Sequence, residues 1–223
     1  LILPVSLISG PAIPDITITL TGIFFLIFFF INHKLKEILK NKFVILSFLF
    51  WFYLIFLSFF SENIKLSMSD AVIFIRILMI PIFLYFWILN EENNLKLIIK
   101  IIFYTVIFVS LDSIYQFTNY EPEHGFGKDI FGFTSNWYGR LTGPFYQELI
   151  PGAFVSKFGL IGLLYLLTEN KMNTKNSLIC IIYLSLIGIV TFISGERMAL
   201  ATYMLGISFL TIFYSEKRLI FIF

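Results

Sequence analysis

Long apolar runs decide what this chain can fold into. Seven stretches, 16–32, 43–60, 70–89, 97–117, 148–168, 177–193 and 198–214, are predominantly apolar. Each approaches the ~20 residues that carry a helix across ~30 Å of hydrocarbon at ~1.5 Å per residue. A transmembrane β-barrel needs apolar and polar residues in alternation, and runs such as 24–31 or 48–57 do not alternate. Burying them all in a soluble core is excluded by composition. Only 13% of the 223 residues are charged and 58% are hydrophobic, whereas an ordinary soluble domain carries about 25% charged residues. Mean hydropathy is +0.89. The sequence therefore predicts an all-α, polytopic transmembrane helical bundle of about seven complete spans. Residues 1–8 and those from Leu219 onward read as partial helices at the two ends. The expectation is one transmembrane domain over 1–223, cut from a longer protein at both ends, with no secretory signal pattern.

Lysine and arginine set the expected orientation. Lys34, Lys36, Lys40, Lys42, Lys171, Lys175, Lys217 and Arg218 fall in alternate links, at 33–42, 90–96, 169–176 and 215–218. Alternate links lie on one side, and the excess of basic residues makes that side cytoplasmic. The links 9–15, 61–69, 118–147 and 194–197 then face outward. One of these differs: 118–147 is a loop of a length that usually carries function or is disordered. Its glycines and aromatics (Trp137 and Tyr138 among them) predict order, with part of the loop resting on the membrane surface.

Cations on the outward side are the informative residues. Arg76 and Lys157 sit about two turns into their expected spans. A charge at such depth is costly and tends to face a cavity and do work, although snorkelling to the headgroups accounts for it equally well. Arg140 opens Gly139-Arg-Leu-Thr-Gly-Pro-Phe-Tyr-Gln-Glu148, and Arg197 lies in the tight hairpin Ser194-Gly-Glu-Arg197. Both are held on short, constrained backbone at the outer boundary, and a guanidinium there presents a fork suited to bidentate phosphate binding. The blander reading is contact with lipid headgroups, or a local pair with Glu148 or Glu196. Glu148, beside Arg140 at an expected helix start, is the candidate acid–base carboxylate; capping or pairing with arginine is its alternative. Pro151 suits the first turn of that helix. Asp112 is a possible polar partner for Arg76. His33 reads as a solvated link residue and His124 as an ordinary loop histidine. The single cysteine, Cys180, lies in an apolar run and reads as core. No phosphate-binding glycine loop, His-Glu-x-x-His or cysteine pair is present, so neither a metal nor another cofactor is expected. A net charge of +2 gives no reason to expect nucleic acid as a partner.

These residues resemble the bacterial O-antigen ligase and O-antigen polymerase family of membrane glycosyltransferases. The resemblance runs from Leu3-Pro-Val-Ser-Leu-Ile-Ser-Gly-Pro-Ala-Ile-Pro-Asp15 through Ile114-Tyr-Gln-Phe117 and Lys128-Asp-Ile-Phe-Gly132. It is sharpest at Arg140-Leu-Thr-Gly-Pro-Phe145 with Glu148 and Gly152, and at Ser194-Gly-Glu-Arg-Met-Ala199. It implies a metal-independent transferase in the bacterial inner membrane with its active face periplasmic. The donor would be an undecaprenyl-pyrophosphate-linked glycan, and the acceptor another glycan or lipid A–core. It also implies that Arg140 and Arg197 bind the donor's pyrophosphate. Ligases of this family carry a catalytic histidine in a large later periplasmic loop, which lies beyond this sequence; His124 comes too early to take that role, and ligase and polymerase stay unseparated. A lipid-linked oligosaccharide flippase, or another multi-span transporter, is the alternative, and it predicts structural repeats or broken helices, neither of which is expected from this sequence. A structural membrane subunit would have no need of Arg140 and Arg197.

Overall fold

Every regular element among the described residues is a helix, in a computed structural model that describes residues 3–10, 12–31, 40–88, 92–123, 125–169 and 174–213. In chain order these are α1 (Leu3–Ser6), α2 (Ala12–Ile31), α3 (Lys42–Ser58), α4 (Ile64–Ile73), α5 (Ile75–Phe83), α6 (Glu92–Thr118), α7 (Pro151–Glu169), α8 (Thr174–Ile193) and α9 (Arg197–Phe213). A π-helical turn, Leu84–Ile88, extends α5. Three stretches, Ile64–Phe86, Glu92–Thr118 and Lys175–Ile193, are long and apolar enough to cross a membrane. Ala12–Phe28, Lys42–Ser58, Pro151–Leu167 and Arg197–Phe213 are shorter apolar helical stretches. Large apolar side chains such as Phe24, Leu46, Phe56, Phe192 and Leu205 stand exposed along the helices. Water would penalise that surface and hydrocarbon would not, so the chain is compatible with a helical membrane protein. The expected helix from Leu219, together with His33, His124, Lys34, Lys36, Lys171, Lys217 and Arg218, lies outside the described residues.

Two boundaries differ from expectation for identifiable reasons. The outward link expected over 61–69 shrinks, because Asn63 accepts the Leu66 N–H at 3.3 Å and starts α4 there. Lys65 is thereby helical. The helix expected from 148 begins instead at Pro151, whose missing N–H costs nothing in a first turn.

The chain divides into two units, Leu1–Ile13 with Lys96–Phe223, and Pro14–Leu95. In the first, α7, α8 and α9 pack on one another, and α6 joins them through a cluster that includes Phe103, Val106, Leu163, Cys180 and Ile187. Small residues let these backbones approach. A Cβ at Gly162 of α7 would meet the Tyr183 hydroxyl and, at 3.1 Å, the Phe103 Cα. Tyrosines tie the same helices: Tyr183 donates to the Gly159 carbonyl at 3.1 Å and Tyr203 to that of Leu184 at 2.8 Å. In the second unit a small core of Phe25, Val44, Met79 and Ile82 joins α2, α3 and α5. The Trp51 indole donates to the Ala71 carbonyl at 2.9 Å. Pro81 lies inside α5, where it removes a helical donor just before the π turn.

Candidate functional site

The C-terminal end of α6 is polar and sealed. Ser110, Asp112, Ser113 and Gln116 have no exposed surface. This turn pins the loop that follows. Gln116 Oε1 accepts the N–H of Thr142 at 3.0 Å and of Gly143 at 2.9 Å, while its Nε2 donates to Thr142 Oγ1 at 3.0 Å. Its carbonyl accepts the Gly127 N–H at 3.2 Å. Asp112 Oδ1 accepts the Ile130 N–H at 2.8 Å. Farther along, Asp129 Oδ1 accepts the Phe133 N–H at 2.6 Å and closes a tight turn. The loop expected to be ordered is thus held at 127, 130 and 142–143 by a single helical turn.

These pins fix the segment that begins with Arg140. Leu141, Thr142 and Phe145 are buried, and the Phe145 ring lies 5.2 Å from that of Phe154 in α7. Gly143 has φ +51°, and a Cβ there would sit 2.8 Å from Ser113 Oγ, so both its backbone and its surroundings call for glycine. Arg140 emerges half-buried from this anchored base. Its side chain runs beside the α8–α9 hairpin, where a Cβ added at Gly195 would lie 3.2 Å from Arg140 Cδ. Arg140 Nε is buried and has no hydrogen-bond partner among the described residues. Arg197 follows two residues after Gly195, as the exposed first residue of α9.

The structure therefore brings Arg140 to the hairpin that carries Arg197. It also brings up a residue that sequence reasoning considered only as an arginine partner. Glu196 Oε1 accepts the Gly152 N–H at 2.8 Å, and Oε2 accepts the Ala153 N–H at 3.1 Å. These are orphan donors of the first turn of α7. Burial pushes the Glu196 carboxyl above its ordinary range, against the opposing pull of the two N–H donors and of the positive charges of Arg140 and Lys157. Lys157 is exposed on the second turn of α7.

Two expectations about pairing are corrected. Glu148 neither starts nor caps α7. It is exposed, three residues ahead of Pro151, and its carboxylate has no partner among the described residues. The cap comes from Glu196, 44 residues from Gly152 along the chain. Arg76 belongs to the unit Pro14–Leu95 and pairs with Asp15 at 2.9 Å, not with Asp112. Among the described residues no group of three or more His, Cys, Asp or Glu is placed to hold a metal ion.

Beside the pinned loop lies an apolar cleft of about 660 Å³, with Ile8, Tyr104, Phe108, Phe131, Phe133 and Pro144 in its wall. Pro144 belongs to the Arg140 segment, so charged and apolar surfaces adjoin one stretch of chain. Comparison with family models, with curated proteins and with solved structures finds no match for this chain.

Proposed function

We propose that the protein is a membrane glycosyltransferase of the O-antigen ligase or polymerase type. It moves an undecaprenyl-pyrophosphate-linked glycan to an acceptor at the periplasmic face of the bacterial inner membrane. The observation that carries this reading is Arg140: a half-buried guanidinium on a rigidly pinned loop, its Nε–H unpartnered, lying against the hairpin of Arg197. A buried donor without an acceptor is costly, and a phosphate oxygen is the acceptor that suits it. In this reading all seven apolar helices span, and the 118–147 loop lies at the outer interface with Trp137 and Tyr138 directed to the headgroups.

The proposed chemistry follows from the arrangement. The polyprenyl chain lies along apolar surface such as the cleft walled by Phe131, Phe133 and Pro144, and the pyrophosphate meets Arg140 and Arg197. An acceptor hydroxyl attacks the anomeric carbon and the bond from that carbon to the pyrophosphate oxygen breaks. The electron pair leaves with the pyrophosphate, where the arginines stabilise the growing charge. The hydroxyl proton passes to a base, for which Glu148, exposed at the end of the loop, is the candidate. The acceptor is a second lipid-linked glycan in a polymerase and lipid A–core in a ligase. Lys157 adds positive charge near Glu196.

A transporter or flippase is the second reading, and the interruption of Ile64–Phe86 favours it. The helix is broken at Phe74, and Pro81 is followed by the π turn Leu84–Ile88; discontinuous helices line the substrate paths of transporters. One experiment separates the two. The protein in detergent is incubated with undecaprenyl-pyrophosphate oligosaccharide, with and without lipid A–core, and the products are resolved by gel. Transfer that falls by about 10²-fold or more in Arg197→Ala, with the protein still in the membrane, and is not fully restored by Arg197→Lys supports the transferase. Undiminished transfer in Arg197→Ala would sink the proposed role of that arginine, and no transfer by the wild type would favour the transporter.

A further inference from the structure

We propose that Glu196 is a positioning residue: its carboxylate latches the Arg197 hairpin to the first turn of α7 and so sets Arg197 beside Arg140 for one polyanionic ligand. This inference rests on the reading of the two arginines as a pyrophosphate site. The latch is double-ended. At one end the Glu196 carbonyl accepts the N–H groups of Ala199 and Leu200 at 3.1 and 3.2 Å, so its backbone caps α9. At the other, its two carboxylate oxygens take the Gly152 and Ala153 N–H groups of α7, one each. The hairpin is stiffened by Ser194, whose hydroxyl donates to the Thr191 carbonyl at 3.0 Å and accepts the Glu196 N–H at 3.3 Å. Gly195, at φ +71°, makes the turn that lets the Arg140 stem lie alongside.

The fit is close. A Cβ at Gly152 would run into Ser194 Oγ and would lie 2.9 Å from Glu196 Oε1, so only glycine lets the hairpin sit on this helix start. Glutamate is also specific in its chemistry, because glutamine offers one acceptor oxygen where two donors wait. With those donors taken, the positive end of α7 is already neutralised. An incoming phosphate must then be met by the arginine side chains, and their relative placement becomes decisive. A displacement of about 1 Å in such a site can cost about 10²-fold in reaction rate.

Coulomb's law and the latch predict opposite signs. Removing a carboxylate close to Arg140 and Lys157 should, by charge alone, tighten the binding of a polyanion. Loss of the latch should weaken it. The test measures binding of farnesyl pyrophosphate, a short polyprenyl pyrophosphate, to the detergent-purified protein, together with hydrogen exchange at the Gly152 and Ala153 amides. Glu196→Ala is expected to speed exchange at both amides and weaken binding, each by about tenfold, with Glu196→Gln intermediate. Gly152→Ala, which wedges the latch open while the carboxylate keeps its charge, should weaken binding to a similar extent. The double variant should be no worse than either single one. Binding that is unchanged or tighter in Glu196→Ala, with a wild type that binds, overturns the positioning role alone. A wild type that does not bind overturns the pyrophosphate site and this inference together.

Discussion

The pin made by Gln116 predicts a sharply local defect. In Gln116→Leu the side chain keeps its bulk and loses its polar head, so the N–H groups of Thr142 and Gly143, both buried, lose their acceptor. Each orphaned buried donor costs about 1–3 kcal/mol, which together lowers the free energy of opening the Arg140 segment by about 2–6 kcal/mol. Since 1.4 kcal/mol is a factor of ten, amide exchange at 142 and 143 should accelerate by at least about 30-fold. Peptides from the middle of α6 should keep their protection and serve as the internal control. Thr142→Val removes only the hydroxyl that Gln116 Nε2 donates to and should cost about 1 kcal/mol. Combining the two should cost less than the separate effects imply, because the threonine hydroxyl is no longer left without its donor. The assay is hydrogen exchange read by mass spectrometry on protein in nanodiscs. Exchange at 142–143 within about threefold of wild type in Gln116→Leu would refute the idea that this glutamine holds the loop.

Other outcomes follow from the same geometry. Asp15→Ala should change stability in detergent by under about 1 kcal/mol, because the Arg76–Asp15 pair is one-third exposed on one side and half exposed on the other; a loss above about 2 kcal/mol in chemical unfolding would place the pair in a far drier setting. Gly162→Leu should destabilise the α6–α7 packing by about 1–3 kcal/mol, since even its Cβ meets the Phe103 Cα at 3.1 Å, and a thermal melt of purified protein reads this directly. Burial raises the Glu196 carboxyl above its ordinary 4.5, so the folded hairpin holds a proton more tightly than the unfolded chain does. Stability should therefore rise as pH falls from neutral through the raised value and level off below 4.5, and Glu196→Gln should flatten that part of the pH profile.

The helices were legible because long apolar runs without alternation favour helix over strand, and three of them carry the length that a membrane crossing requires. Pro151 was legible too, since its chemistry fits one place in a helix. What the sequence hid were the partnerships. Glu148 looked like the carboxylate of the site because it stands near Arg140 in the chain, whereas the helix start is capped by Glu196 from a distant hairpin. Arg76 gave no local sign that Asp15, 61 residues away, would meet it. Gln116 stands in the stretch Ile114–Phe117 that carries part of the resemblance, but with no role attached: a glutamine near a helix end belongs to no catalytic pattern, and its value emerges only once Thr142 and Gly143 are folded back onto it. Local periodicity reports on solvent, while long-range hydrogen bonds depend on how the chain returns to itself.

The pins on α6 also govern how such a chain can tolerate changes in length. Loop anchors at 127, 130 and 142–143 all trace to Asp112 and Gln116, about one turn apart on one helix. One residue inserted in α6 before Asp112 would rotate that turn by about 100° and swing the whole loop away from the hairpin. Residues added among the exposed 136–139, between the Ile130 and Thr142 anchors, would bulge outward and leave both attachments in place. Length is therefore cheap at 136–139 and ruinous within α6, so the loop can be lengthened while Arg140 stays where it is.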